Sequence, residues 1–600
     1  MRTYYFLPKD NPKDNQSRDN QSYQSIFNNV EIKNVELVTF EEFQLFFSHI
    51  KQSIDEGAIL LIPSILDSFN AYSYDGVELA LRCYFCYVSN KNSKFRIVVL
   101  GSETEAAFWE HCSYSNVLKC PHVDYIQNNI YSIKAYLSGL ESFDWKINWD
   151  ECIDALKKIN ISQPASYKTH HSITNEWSIY RWSKYLGIEN IAIQKDIEEF
   201  LYFNYLKTIY PESKIDDPKS FLITEKGKVL LIDDEAGKGW DTFFKSFFGY
   251  SHSVSFDSIG ENFKTLSQKE IVDQTTTKLE AFDPDLVLLD LRLHDEDFET
   301  KKPSELTGAK IFDVIKKKIN KGIQIVIFSA SNKVWNYLPF ASEGIILKES
   351  PDMSVKLNYT KECIQNLRKT VENCLKKKYL KGFYSKIERV EKLISNSNCF
   401  EKRTEEIVGC LEIAFDLLTR GVENIEYNAY AYLQLFLVVE EYTKVASVID
   451  VTESDLYLCK GAERYRILKD KKQTDGGKIK YESAISFEGG HYCLCKGIYE
   501  SRFIDTNFRV SSLLIFKFGE NTSGTRNWTA IYTVRNTKAA HPKEEVVENK
   551  DIDQILDFML FFFDENNANW RPTTDAFPER NIEEDAALLQ AKFGNVKITK

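Results

Sequence analysis

Four short apolar runs between residues 228 and 348 each stop at a polar side chain, and no other feature restricts the folding of this chain as tightly. They read KVLLIDD (Lys228 to Asp234), DLVLLD (Asp285 to Asp290), IQIVIFS (Ile323 to Ser329) and GIILK (Gly344 to Lys348). Unbroken apolar runs of this length suit strands buried on both faces, the condition of a parallel sheet covered by helices. Helix-forming stretches such as Gly308 to Lys318 (GAKIFDVIKKK) lie between them, and a further strand is expected around Ser251 to Phe256 (SHSVSF). Alternating strand and helix predicts a doubly wound α/β fold, in which ligands bind beyond the carboxyl ends of the strands. Asp233, Asp234, Asp290, Ser329 and Lys348 are therefore expected to converge on one edge of the sheet.

Three carboxylates in one place repel one another unless a cation sits among them, and a hard ion such as Mg²⁺ suits oxygen donors. Asp290 is then placed to act as a nucleophile toward a phosphoryl group, with Lys348 and the Ser329 hydroxyl contacting its oxygens. An acidic pair, a third Asp, a Ser and a Lys at successive strand ends resemble the response-regulator receiver family of two-component systems over residues 226–378. The resemblance implies a flavodoxin-like sheet of five parallel strands, with Asp290 as phosphoacceptor and a sensor histidine kinase as partner. It also implies that Asp233, Asp234, Asp290 and the backbone carbonyl of Arg292 hold the metal. Three features depart from the family pattern: Glu349 replaces the usual proline, Ile345 replaces a switch aromatic, and a charged insertion (HDEDFETKKPSEL) follows the third strand.

Residues 1–140 carry a weak repeat of the same pattern. Thr3 to Leu7, Ile59 to Pro63, Arg96 to Gly101 and Val123 to Gln127 match strands, and Asp75-Gly76 echoes Thr307-Gly308. At the functional positions stand Pro8 and Lys9, Pro63, Gly101 and Gln127, which cannot hold a metal. This segment is expected to be a pseudo-receiver serving protein contact, with an unrelated α/β domain as the alternative. Residues 141–225 are expected to form a helical connector, with His170 and His171 in an exposed turn.

Residues 379–600 are expected to be mainly α-helical, with helices over 401–419, 427–449, 509–517 and 551–564 and an irregular stretch over 456–502. The segment WTAIYTVRNTKAAHP (Trp528 to Pro542) places Arg535 and Asn536 on an amphipathic helix and His541 before a proline. Arginine and histidine suffice for metal-free RNA cleavage, since the ribose 2′-hydroxyl is the nucleophile, His moves protons and Arg stabilises the charge. The motif resembles the HEPN family of small helical domains. That resemblance implies a catalytic set of Arg535, Asn536 and His541, an RNA substrate, a site completed in a homodimer, and an acidic helper at Glu440 or Glu441.

Joined, these readings give a phosphorylation-controlled endoribonuclease suited to bacterial stress or antiphage defence. The alternative is a non-enzymatic, phospho-regulated scaffold whose last domain only dimerises or binds RNA. A net charge of −12 gives no broad surface for DNA, and no basic helix-turn-helix is present, so sequence-specific DNA binding is not expected. No apolar run is long enough to span a membrane, and the chain reads as cytoplasmic. Its 12 cysteines are scattered, as buried thiols in a reducing compartment would be. Two cysteine-rich patterns stand out: Cys83, Cys86, His111, Cys112, Cys120 and His122 as a zinc candidate, and His491, Cys493 and Cys495 as a nucleophilic pairing or a plain alternating strand.

Overall fold

The computed structural model describes residues 2–8, 30–35, 58–66, 74–89, 95–140, 148–164, 170–189, 197, 200–210, 221–251, 253–299, 302–330, 343–356, 358–452, 455–473, 477–488, 490–519, 523–540 and 545–570. The chain forms two compact units, Met1–Phe312 with Ile325–Leu375, and Asp313–Gln324 with Lys376–Lys600.

The first unit contains two five-stranded sheets of the same strand order. Strands β1 (Arg2–Pro8), β2 (Val30–Val35), β3 (Ala58–Pro63), β4 (Phe95–Gly101) and β5 (Val123–Gln127) lie in the order β2-β1-β3-β4-β5. Strands β6 (Gly227–Ile232), β7 (Val254–Ile259), β8 (Leu286–Leu289), β9 (Gln324–Ser329) and β10 (Ile345–Leu347) lie in the order β7-β6-β8-β9-β10. The pairings β1–β2, β1–β3, β6–β7 and β6–β8 are all parallel. Every residue of β3 and β9 is buried, as the apolar runs require. Strand β7 begins three residues later than the sequence predicts. Ser251 and Ser253 brace Ile223 through its amide and carbonyl, so they belong to the turn before the strand.

The two sheets share a local device. A Cβ on Gly308 would lie 2.4 Å from the Asp290 carbonyl oxygen, and one on Gly76 would lie 1.7 Å from that of Pro63. In each sheet the helix that follows the third strand starts hard against that strand's end, and only glycine permits the approach. The preceding residues hold the loop as well: Thr307 donates its amide and hydroxyl to Asp297, and Asp75 accepts from the Leu66 amide.

Helices Trp149–Leu156, His170–Leu186 and Leu201–Ile209 fill the stretch between the sheets. His170 and His171 open the second of these helices rather than forming an exposed turn. Trp177, Trp182 and Phe203 from this stretch are fully buried in the same apolar cluster as Tyr4, Leu60, Leu231 and Phe328. The two sheets and the helices between them thus have a continuous core.

The second unit is built on helices Tyr379–Ser397, Thr404–Gly421, Glu426–Tyr442, Thr506–Phe518, Ser523–Val534 and Asn549–Phe563. The third stops at Tyr442 instead of reaching Ile449, because the β-branched run after Lys444 enters strand β11 (Ile449–Val451). The stretch expected to be irregular is an antiparallel sheet. With β12 (Leu456–Lys460), β13 (Glu463–Gln473), β14 (Ile479–Ser483) and β17 (Gly497–Ser501) it runs in the order β11-β12-β13-β14-β17, beside a hairpin of β15 (Ser486–Glu488) and β16 (His491–Cys493). In β14, Tyr481 and Ser483 point inward while Lys480 and Glu482 face solvent, the two-residue period of a half-buried strand. Among the described residues no helix is long and apolar enough to cross a membrane.

Candidate functional site

The central sheet brings the five polar strand-end residues to one edge. The Asp233 amide donates to Ile259, the Asp290 amide to Ile232 and the Lys348 amide to Ser329, so each residue leaves its strand still tied to the neighbour. Carboxylate oxygens of Asp233, Asp234 and Asp290 lie within 4.8 Å of one another. Lys348 Nζ sits 2.7 Å from Asp233 Oδ2 and 3.2 Å from Asp290 Oδ2, and none of these three side chains has exposed surface. Burial disfavours the ammonium, but the two aspartates outweigh it and hold the Lys348 pKa above its ordinary value.

Asp234 has the opposite fate. Burial, then repulsion from Asp233, Glu235 and Asp290, pushes its pKa well above the usual carboxylate range. Its Oδ1 is enclosed with no hydrogen-bond partner. A buried oxygen without a donor, beside two more carboxylates, makes a set of hard donors, and the residues fit Mg²⁺. The Arg292 amide donates to Asp290 Oδ1 at 3.2 Å, while its guanidinium lies over Phe298. Ser329 is buried at the end of β9.

A surrounding shell was not read from the sequence. Trp240 packs edge-on against Phe328 at 4.7 Å and against Trp182 at 5.5 Å, and Lys348 Nζ lies over the Trp240 and Phe328 rings. The Trp240 indole donates to Asn175, and Lys238 bridges Glu235 and Glu176. Glu349 is fully buried. Its carboxylate accepts from the Trp182 indole, Ser354 and Thr360 and faces Arg181 at 3.4 Å. Asn175, Glu176, Arg181 and Trp182 all belong to helix His170–Leu186, which is thereby bound to both the first and last strand ends of the site. The signals available in the sequence were a third acid after Asp233-Asp234 and the departure at Glu349 itself.

Among the described residues the matching edge of the first sheet gathers no such group of carboxylates. Pro63, Gly101 and Gln127 end β3, β4 and β5, and a Cβ on Gly101 would collide with the Tyr125 ring, whose hydroxyl donates to the Glu103 carbonyl. Burial and then Glu103 push the Tyr125 hydroxyl up to about 12. Pro8 ends β1, and Lys9 lies outside the described residues.

In the second unit, Arg535 and Asn536 open a π-helical turn, Arg535–Ala539, that continues helix Ser523–Val534. Arg535 is half-buried, donates to Asn536 Oδ1 at 2.8 Å and lies over the Phe436 ring. Its Nε is enclosed without a partner. Glu440 pairs with Lys444, and Glu441 with Lys444 and Arg403, so neither acid is brought to Arg535. His541 lies outside the described residues.

Of the cysteine patterns, Cys83, Cys112 and Cys120 are buried, and the six residues of the first pattern do not gather as a ligand group among the described residues. Cys493 and Cys495 do gather, with Glu488. His491 instead lines a cavity of about 320 Å³ with Asn507, Ser511 and Tyr532.

No protein-family model matches this chain, and no curated protein matches it. A solved structure described as the first ketoreductase of the tylosin PKS is similar at 11% identity and a TM-score of 0.18, covering 62% of this chain and 77% of that one. Likeness at that level carries no argument about fold or activity.

Proposed function

We propose that the central sheet is a phosphoacceptor module with Asp290 as the acceptor, and that it controls an RNA-cleaving output carried by Arg535, Asn536 and His541. The observation that supports this best is the convergence of Asp233, Asp234, Asp290 and Lys348 at the carboxyl edge of a sheet ordered β7-β6-β8-β9-β10. Mg²⁺, when bound by Asp233, Asp234 and Asp290, would neutralise charge on the entering phosphoryl group. An Asp290 oxygen attacks the phosphorus of a donor phosphohistidine. The new P–O bond forms as the P–N bond breaks, and the imidazole keeps the electron pair. Lys348 releases Asp290 toward the phosphoryl oxygens, and Ser329 donates its hydroxyl to one of them. Because Asp290 has no exposed surface, transfer follows an opening of the loops around it.

In the output, two copies of the chain bring their Arg535 and His541 pairs to one site. A second reading, the non-enzymatic scaffold, is favoured by one observation: Arg535 is half-buried on Phe436 and the candidate acids Glu440 and Glu441 are committed to Lys444 and Arg403.

The test incubates the full chain with Mg²⁺ and a small phosphodonor or beryllium fluoride, then measures phosphorylation and RNA cleavage. Asp290→Ala should abolish the phosphoryl adduct, and His541→Ala should abolish cleavage while leaving the adduct. No adduct on the unaltered chain would overturn the first half of the proposal. An adduct with intact RNA in every arm would leave the scaffold.

A further inference from the structure

The hairpin β15–β16 carries donors of another kind, unrelated to the acidic edge. Side chains alternate along a strand, so His491, Cys493 and, continuing the pattern, Cys495 fall on one face. The register pairs Glu488 with His491 and Ser486 with Cys493, which adds both partners to that face. The structure bears this out: ligand atoms of Glu488, Cys493 and Cys495 all lie within 4.8 Å of one another. Cys493 Sγ is 3.4 Å from Cys495 Sγ, and Cys495 Sγ is 3.4 Å from Glu488 Oε1. The Ser486 hydroxyl touches the Cys495 thiol and donates to Glu488 at 3.1 Å. Cys495 is buried and Cys493 half-buried, while Glu488 and His491 are exposed at the rim.

We infer that Cys493, Cys495 and Glu488 bind a zinc ion. Two thiolates on a tetrahedral zinc, at about 2.3 Å each, stand about 3.8 Å apart. The observed sulfur separation reaches that by a shift of a few tenths of an ångström, whereas a disulfide requires the sulfurs to close to about 2.05 Å. Two sulfurs and one carboxylate form a donor set of mixed softness, which suits zinc over a hard ion such as Mg²⁺. Binding breaks two S–H bonds, forms two S–Zn bonds and passes two protons to solvent. At the exposed rim of the site His491 pairs with Glu488 across the hairpin.

The test titrates Co²⁺, as a coloured stand-in for Zn²⁺, into reduced, chelator-stripped full-length protein. Excess Mg²⁺ is present so that the acidic edge takes that ion. Thiolate-to-cobalt charge-transfer absorption should saturate at one equivalent and vanish when Zn²⁺ is added. It should be lost in Cys493→Ser/Cys495→Ser and kept in Cys459→Ser, a buried cysteine on β12. Should the double variant fail to fold by circular dichroism, Glu488→Gln decides, with affinity expected to fall at least about 10-fold. The inference is overturned if the unaltered protein gives no charge-transfer band, if the folded double variant keeps it, or if Glu488→Gln binds as tightly as the unaltered chain.

Discussion

Replacing Lys348 by methionine tests the electrostatics of the acidic edge most directly. Methionine keeps most of the stem volume and its contact with Trp240 and Phe328, so the packing term should stay below about 1.5 kcal/mol. The charge term is larger. The ammonium lies 2.7 Å from Asp233 and 3.2 Å from Asp290, with all three side chains fully buried. Removing one member of such a set leaves uncompensated buried carboxylates, which costs about 3–5 kcal/mol. The two ion pairs share one cation, so their losses do not double. In Mg²⁺-free neutral buffer the variant should therefore lose about 3–5 kcal/mol. The loss should shrink in mildly acidic buffer, where an aspartate takes up a proton, and again on adding Mg²⁺. The alkaline limb should differ too. The Lys348 pKa is raised in the fold, so its contribution is complete below the usual value of 10.5 and disappears as pH rises through the folded value. The variant should lack that alkaline loss. Urea titration followed by tryptophan fluorescence in a Trp528→Phe background reads this unit, because Trp177, Trp182 and Trp240 are buried within it and Trp528 is buried in the other. A loss below about 1 kcal/mol, the worth of a surface pair, or one indifferent to both pH and Mg²⁺, would refute the reasoning.

Asp234→Asn should make the metal-free protein more stable at neutral pH and weaken Mg²⁺ binding by about 10–100-fold, measured by calorimetry. Because the Asp234 pKa is raised, its penalty is absent below the usual 3.8 and grows as pH climbs to the folded value, so the difference between variant and unaltered protein should widen across that window. Gly308→Ala should cost about 1–3 kcal/mol, because its Cβ would meet the Asp290 carbonyl and the Leu291 backbone; an unchanged urea midpoint would contradict that contact. Glu349→Ala should cost about 3–5 kcal/mol by removing the buried carboxylate that faces Arg181 and accepts from Trp182, Ser354 and Thr360, and Arg181→Met in the same background should recover part of it.

What could be read from the sequence depended on how fully each element is buried. Strands β6, β8 and β9 sit inside the sheet, so their apolar runs announced both their place and the residues ending them. Among the described residues strand β2, VEIKNV, pairs with β1 alone at the edge of its sheet, and its mixed polarity gave no such sign. The antiparallel strand β14 was hidden for a related reason: it buries one face, and Lys480 and Glu482 on the other break the run before a period shows. The acidic edge was legible because its chemistry is concentrated in five residues. Its anchoring to helix His170–Leu186 was not, because Asn175, Glu176 and Arg181 read as ordinary helix-surface polar residues until Trp240, Lys238 and Glu349 are placed against them.

The indole seam of Trp182 against Trp240 and Phe328 has a consequence for how this protein can be taken apart. Residues 226–378 spliced onto another protein would leave behind the helix whose Trp182 packs on Trp240 and Phe328, exposing aromatic surface to water and depriving the Glu349 carboxylate of the indole donor. The smallest transplantable piece is therefore set by that seam, and it begins upstream of residue 170.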